Sequence, residues 1–112
     1  MNENLLTSFP PDLPEELFDT LVAAGDLCIE RIVSRGHASP EGFWYDQARH
    51  EFVLVLQGRA GITIEGRSET VVLSPGDYLV LEAHLRHRVE WTDPGRETVW
   101  LAIHFSGEIE KR

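Results

Sequence analysis

Seven short segments rich in valine, isoleucine and aromatic residues follow one another from residue 28 to residue 105. They are CIERIVS, FVLVLQ, AGITIEG, ETVVL, DYLVLEA, HRVEWT and TVWLAIHF. Such residues favour strands, whereas the Gly, Pro, Asp and Ser residues between the segments favour turns. Many short antiparallel strands at this spacing form a sandwich or a closed barrel, and closure removes exposed strand edges. The chain is therefore predicted to be all-β.

The size and charge of the chain narrow its function class. A chain of 112 residues forms one domain with one core. Its formal net charge of −9 argues against binding to nucleic acid or to anionic membranes, whose phosphates attract Lys and Arg. No apolar run approaches the roughly 20 residues of a membrane span, and the N-terminus lacks the features of a signal peptide. A cytoplasmic location is expected.

The stretch PPDLPEELFDTLVAAG, residues 10–25, is predicted to contain a short helix at residues 14–24. Pro14 suits a first helical position, and Gly25 suits a C-terminal cap. One face of this helix is apolar and consists of Leu17, Phe18, Leu21 and Val22. We expect residues 1–35 to form an N-terminal segment whose helix packs on a barrel formed by residues 36–112.

Side-chain alternation in RHRVEWT indicates which residues face the interior. The two faces of this strand carry Arg86, Arg88 and Glu90, and His87, Val89 and Trp91, respectively. Successive side chains of a strand point to opposite faces, and charged side chains are costly to bury. The charged face therefore belongs outside, and His87 is predicted to point into the interior beside Val89 and Trp91.

The stretch FWYDQARHE, residues 43–51, stands directly before the apolar run FVLVL. Alternation places Glu51 on the same face as Val53 and Val55 and turns His50 to the opposite face. If the face of Glu51 lines the interior, its carboxylate needs a partner, because an unpaired buried charge is very costly.

The other face of the FVLVL strand is apolar as well, with Phe52, Leu54 and Leu56. A strand that is apolar on both faces is covered on both. The cover outside is expected to be the helix at residues 14–24 or a second subunit, and we expect a homodimer.

These patterns together resemble the cupins, small β-barrels of jelly-roll type, also called double-stranded β-helices, with a site inside the barrel. Two motifs define that family, roughly G-x5-H-x-H-x3/4-E-x6-G and G-x5-P-x-G-x2-H-x3-N. The segment EFVLVLQG matches the later half of the first motif, from Glu51 to Gly58. In SPGDYLVLEAHLRH, Gly76 begins the second motif and His87 falls on its histidine. The resemblance covers residues 36–105.

The sequence departs from both motifs at positions that matter for chemistry. In the second motif, Glu82 and His84 stand where proline and glycine are usual. In the first, the two histidine positions hold, depending on the frame, Tyr45 and Gln47 or Trp44 and Asp46. Of the three histidines and one glutamate that usually bind metal in this family, only Glu51 and His87 remain.

Two ligands are too few for a tight divalent metal site. Gln47 is predicted to supply an amide oxygen beside Glu51 and His87, and His104 is an alternative source of a third ligand. Such a set would suit Fe(II), Mn(II), Ni(II) or Zn(II). As ligand-binding residues we predict Tyr45, His104 and Trp91, because polar tips on apolar walls are typical of small-molecule pockets.

Three functions remain open. The first, which we favour, is the binding of a small polar molecule inside the barrel, with or without a divalent metal. The second is a metal-dependent enzyme, an oxygenase or an isomerase, in which the ion polarises the substrate or activates O2. The third is a structural role as a dimerisation unit with an inert interior. The cupin resemblance does not choose among them, because one fold hosts many functions.

Overall fold

Two antiparallel sheets form the fold in the computed structural model of the chain, which describes residues 3–110. The strands are β1 Leu17–Ala24, β2 Leu27–Ser34, β3 His50–Gln57, β4 Ala60–Ile64, β5 Val71–Leu73, β6 Tyr78–Leu81, β7 His87–Thr92 and β8 Thr98–Phe105. One sheet has five strands in the order β1-β2-β8-β3-β6, and the other has three in the order β5-β4-β7. The all-β prediction is confirmed. Residues 3–110 contain no helix, and so none that could cross a membrane.

The helix predicted at residues 14–24 is wrong, because Leu17–Ala24 forms strand β1 and the three residues before it belong to no helix or strand. β1 pairs with β2 from Leu17 opposite Val33 to Ala24 opposite Leu27, with one register shift at Leu21. Gly25, predicted as a helix cap, instead has a φ of 57° and opens a two-residue turn between the two strands, a position that favours glycine. Isolated helices of this length are marginal in water, and pairing with the free edge of β2 satisfies the same backbone groups.

β1 and β2 belong to the same sheet as the strands of the predicted barrel, since β2 pairs with β8 from Cys28 opposite His104 to Ser34 opposite Thr98. The division predicted between residues 35 and 36 stays a prediction. Arg31, on the outer side of β2, is buried by the N-terminal segment, whose Leu5 and Thr7 carbonyls accept hydrogen bonds from its guanidinium.

The apolar core lies between the two sheets. Its fully buried members come from both, and they are Val53, Val55, Ala60, Ile62, Ile64, Leu73, Leu81 and Trp100. Burial of a side chain of this kind stabilises the fold by about 1.5–3 kcal/mol. Four of these core residues, Val53, Ile62, Leu81 and Trp100, also line an open space near Glu51 and His87.

The outer side of β3 and its neighbours is apolar and only half-covered. We call this surface the outer apolar patch, and it consists of Phe52, Leu54, Tyr78, Val80, Leu101 and Ile103. Tyr78 is 59% exposed and stacks on Phe52 with ring centroids 5.1 Å apart. β1 lies at the far edge of the sheet, so the segment that was expected to cover this face does not reach it.

Candidate functional site

A cavity of about 80 Å³ lies between the sheets, beside the core. Both sheets and the loop before β3 contribute to its wall. Five of the six predicted site residues line it, namely Tyr45, Gln47, Glu51, His87 and His104. Its apolar wall includes Trp100, Ile62 and Val89. Side-chain alternation along β3 and β7 thus correctly predicted that Glu51 and His87 face the interior. The sequence did not show which way His104 points, and in the structure it faces the cavity as well.

His87 is fixed in orientation by its neighbours. Its Nδ1 lies 2.9 Å from the carbonyl oxygen of Leu85, to which it donates a hydrogen bond. The imidazole stacks on the ring of Tyr45, with centroids 5.3 Å apart and an angle of 21° between the planes. Burial lowers the pKa of His87, and the Leu85 hydrogen bond offsets part of that shift. The ring is therefore neutral near pH 7, with Nε2 as a hydrogen-bond acceptor.

Glu51 faces His87 across the cavity. Its Oε1 lies 3.8 Å from Nε2 of His87, beyond the range of a hydrogen bond. The side chain is only 9% exposed. Burial raises the pKa of Glu51; His104 acts in the opposite direction, and Glu30 raises the pKa further. Among the described residues, this carboxylate accepts no hydrogen bond, so its lone pairs are directed at the cavity.

His104 and Glu30 form the second polar pair of the cavity. Nε2 of His104, on β8, lies 2.9 Å from Oε1 of Glu30, on β2. His104 also stands opposite Glu51 in the pairing of β8 with β3. Its Nε2 is therefore engaged by Glu30, while the residue lines the same cavity as Glu51 and His87.

The loop before β3 carries Tyr45 and Gln47 to the cavity. Tyr45 forms an isolated bridge with His87, in which the two backbone N–H···O distances are 2.7 and 3.2 Å. The carbonyl of Gln47 accepts a hydrogen bond from the backbone of His84 at 2.8 Å. Burial raises the pKa of Tyr45, and Glu16, Glu51 and Glu30 raise it further. The phenol therefore stays protonated and can donate a hydrogen bond into the cavity.

Trp91 lies outside the cavity, contrary to the alternation argument. Opposite β4, Trp91 pairs with Gly61 while Val89 pairs with Ile62, so β7 carries one extra residue, Glu90. This bulge reverses the alternation after Val89 and turns Trp91 outward, where it is 36% exposed. Its indole covers Gly61, and the guanidinium of Arg59 lies 5.9 Å from the ring centroid.

Two glutamates of the cavity wall were not predicted from the sequence. Glu30 lies on β2, where each face carries one charged residue, so alternation could not show which face points inward. Glu16 was assigned to the start of a helix, and it accepts a hydrogen bond from the Ser34 hydroxyl. That hydroxyl in turn accepts one from Nε1 of Trp100 at 3.2 Å.

His84 occupies the position where the second motif usually has glycine, and its backbone shows why. Its φ is 66°, in the left-handed region that glycine adopts easily and histidine more readily than most residues. Its Nδ1 pairs with the carboxylate of Asp46 at 2.7 Å on the surface. His84 therefore holds the β6–β7 turn against the loop that carries Gln47, and it does not line the cavity.

Within residues 3–110, no three His, Cys, Asp or Glu side chains are placed to share an ion. Glu51 and His87 supply two donors, and Nε2 of His104 is hydrogen-bonded to Glu30. A third protein ligand is what a site of this type requires. The assignment of Gln47, Glu51 and His87 to a metal stays a prediction.

The two antiparallel sheets and the polar cavity between them define a small β-barrel protein with an interior site. A family model described as the cupin domain matches residues 32–104, which is more than half of the chain. The chain therefore belongs to the cupin family, and the resemblance seen in the sequence is confirmed.

Several solved structures are similar to this chain. A protein from Ralstonia eutropha JMP134, described as a "putative mannose-6-phosphate isomerase", is 48% identical, with a TM-score of 0.92 over 96% of this chain and 99% of that one. A cupin superfamily protein from Desulfitobacterium hafniense DCB-2 is 20% identical, with a TM-score of 0.71 over 88% and 84% of the two chains. The polyketide cyclase RemF from Streptomyces resistomycificus is 18% identical, with a TM-score of 0.69 over 81% and 65%. The last two show the fold alone. Comparison with curated proteins gave no match.

Proposed function

We propose that this cupin binds a small polar molecule in the cavity between its sheets. The observation that carries the proposal is the pair of buried acceptors, Oε1 of Glu51 and Nε2 of His87, which face each other 3.8 Å apart without bonding directly. The phenol of Tyr45 and the amide of Gln47 lie in the same wall and offer further hydrogen bonds. A few convergent polar groups on an apolar wall are the usual composition of a small-molecule site.

A screen of small polar molecules, followed by calorimetric titration of each hit, tests this function. Val89→Phe is expected to abolish binding, because the added ring fills a cavity of about 80 Å³ that Val89 lines. The matched control is Val72→Phe, since Val72 is 43% exposed and its substitution leaves the interior unchanged. Equal binding by the two variants would place the ligand outside the cavity and contradict the proposal.

The second candidate is a metal-dependent enzyme, and the similarity to the Ralstonia eutropha protein supports it. If the two proteins share an isomerase activity, this chain needs a metal ligand beyond Glu51 and His87, which Gln47 would supply. Elemental analysis of protein purified without added metal tests this candidate. Stoichiometric Fe, Mn, Ni or Zn in the wild type, lost in Glu51→Ala/His87→Ala, would supply the metal centre that the enzyme requires, and metal-free protein would contradict this candidate.

We further propose that the chain forms a homodimer through the outer apolar patch. Phe52 and Leu54 are half-buried, and Tyr78 and Val80 are exposed to 59% and 44%. Contiguous apolar surface of this kind marks interaction sites, and two copies related by a two-fold axis would cover it symmetrically. Light scattering is expected to give a dimer for the wild type and a monomer for Val80→Lys. A monomeric wild type would contradict the proposal.

A further inference from the structure

The gap between Glu51 and His87 is bordered by a hydrogen-bond acceptor on each side, and this restricts the groups that can bind in it. Nδ1 of His87 donates to the Leu85 carbonyl, which leaves Nε2 with a lone pair. Opposite it, the Glu51 carboxylate accepts no hydrogen bond from the described residues, although its side chain is 91% buried (9% exposed). A group that fits between them must carry at least two hydrogen-bond donors. We propose that the ligand of this cavity carries an ammonium group, which donates to both; this inference rests on the proposed function.

The charges of the cavity wall favour a cation and oppose an anion. Besides Glu51, the wall contains Glu30, paired with His104, and Glu16, bonded to Ser34. None of the described residues that line the cavity is Lys or Arg. A bound phosphate or carboxylate would face these carboxylates without a cation to neutralise it, and burying an unpaired charge is costly. The net charge of −9 would in addition attract cations to the protein from solution.

The remaining walls suit the alkyl part of such a ligand. Trp100 and Tyr45 line the cavity with aromatic surface, and aromatic faces attract ammonium groups as well as alkyl chains. At about 10–15 Å³ for each water-sized atom, a volume of 80 Å³ holds roughly five to eight such atoms. The cavity therefore suits a small alkylamine, and its lining offers no Lys or Arg as a counter-charge for a phosphate.

Three probes of matched size test the inference on protein freed of metal with a chelator. They are n-butylammonium, n-butanol and butyrate, and their affinities are measured by NMR titration at pH 7. Butylammonium is expected to bind at least tenfold more tightly than butanol, and butyrate is expected not to bind. Equal affinities for all three, or a preference for butyrate, would overturn the inference. If butanol then still bound inside the cavity, as judged by its loss in Val89→Phe, the proposed function would survive.

Two variants locate the ammonium group. Glu51→Gln is expected to reduce the affinity for butylammonium at least tenfold and to leave that for butanol within twofold. Glu65→Gln removes one charge from an exposed pair with Arg86 and is expected to change neither. Equal losses in both variants would mean that net charge alone attracts the probe, and this would overturn the inference. Submicromolar binding of Zn(II) or Mn(II) that excludes butylammonium and depends on Glu51 would also overturn it.

Discussion

His104 Nε2 lies 2.9 Å from Glu30 Oε1, and this pair joins β8 to β2 at one end of the cavity. One nitrogen of this imidazole is therefore engaged by a carboxylate. Glu51 is left as the one cavity glutamate without a hydrogen bond among the described residues, opposite a neutral His87. The polar groups of this cavity thus include a pair that is hydrogen-bonded and a pair that lies 3.8 Å apart without bonding directly, and we place the ligand at the second pair.

The raised pKa of Glu51 predicts how stability depends on pH. Folding favours the protonated carboxyl, so the contribution of Glu51 to stability is fully present below its unfolded pKa and is lost as pH rises through the raised folded pKa. Glu51→Gln cannot ionise. We expect it to be more stable than the wild type at pH 7, by on the order of 1 kcal/mol, and to lose this advantage near pH 4. Urea denaturation at a series of pH values measures the difference.

Glu97 provides a control of opposite sign. The Arg35 guanidinium, which donates two hydrogen bonds to this carboxylate, lowers the pKa of Glu97. Its stabilisation is present above the unfolded pKa and is lost as pH falls through the lowered value. Glu97→Gln is therefore expected to be less stable than the wild type at pH 7. A Glu51→Gln variant that behaved like Glu97→Gln would show that a partner holds Glu51 charged.

The bulge in β7 predicts a coupling between Gly61 and Trp91. A Cβ at Gly61 would lie 2.3 Å from Nε1 of Trp91, so Gly61→Ala must displace the indole. Overpacking of this kind costs about 1–3 kcal/mol. In a Trp91→Ala background most of that cost should vanish, since the clashing atoms are gone. A double-mutant cycle by chemical denaturation measures the coupling, and additive effects would contradict the outward position of Trp91.

The left-handed backbone of His84 predicts the order of its variants. His84→Gly removes the conformational strain and an exposed hydrogen bond to Asp46 together, so its stability should lie within about 0.5 kcal/mol of the wild type. His84→Val places a β-branched residue at a φ of 66° and should cost about 1–2 kcal/mol. Thermal unfolding of both variants tests the order. If valine were tolerated as well as glycine, the turn would have another conformation.

Much of the fold could be predicted from the sequence, because strands β2 to β8 are short segments rich in Val, Ile and aromatic residues that are separated by turn residues. Glu51 and His87 were placed correctly for the same reason, since alternation holds along β3 and up to Val89 in β7. It failed for Trp91, because the bulge at Glu90 depends on the pairing with β4 and leaves no trace in the sequence of β7. The local sequence LFDTLVAA is compatible with a strand and with a helix. It forms a strand here because it pairs with the edge of β2.

The cavity glutamates show a different limit. Glu16 was hidden by the wrong helix, and Glu30 by a strand with a charge on each face. Whether either lines the cavity depends on how β1 and β2 join the large sheet, which is a long-range property of the fold. The sequence showed that Tyr45 and Gln47 depart from the cupin motif. It did not show that these residues lie close to His87, because that depends on the bridge between Tyr45 and β7.

The most direct test of ligand binding between Glu51 and His87 is the 15N NMR spectrum of the histidine side chains. Without ligand, His87 should show the neutral tautomer protonated at Nδ1, because that nitrogen donates to Leu85. On titration with a ligand found in the screen, Nε2 of His87 should shift as it accepts a hydrogen bond, while His50, whose ring contacts Gly107 and Phe105 outside the cavity, should not. Saturable binding that shifts His50 and leaves His87 unchanged would contradict the account.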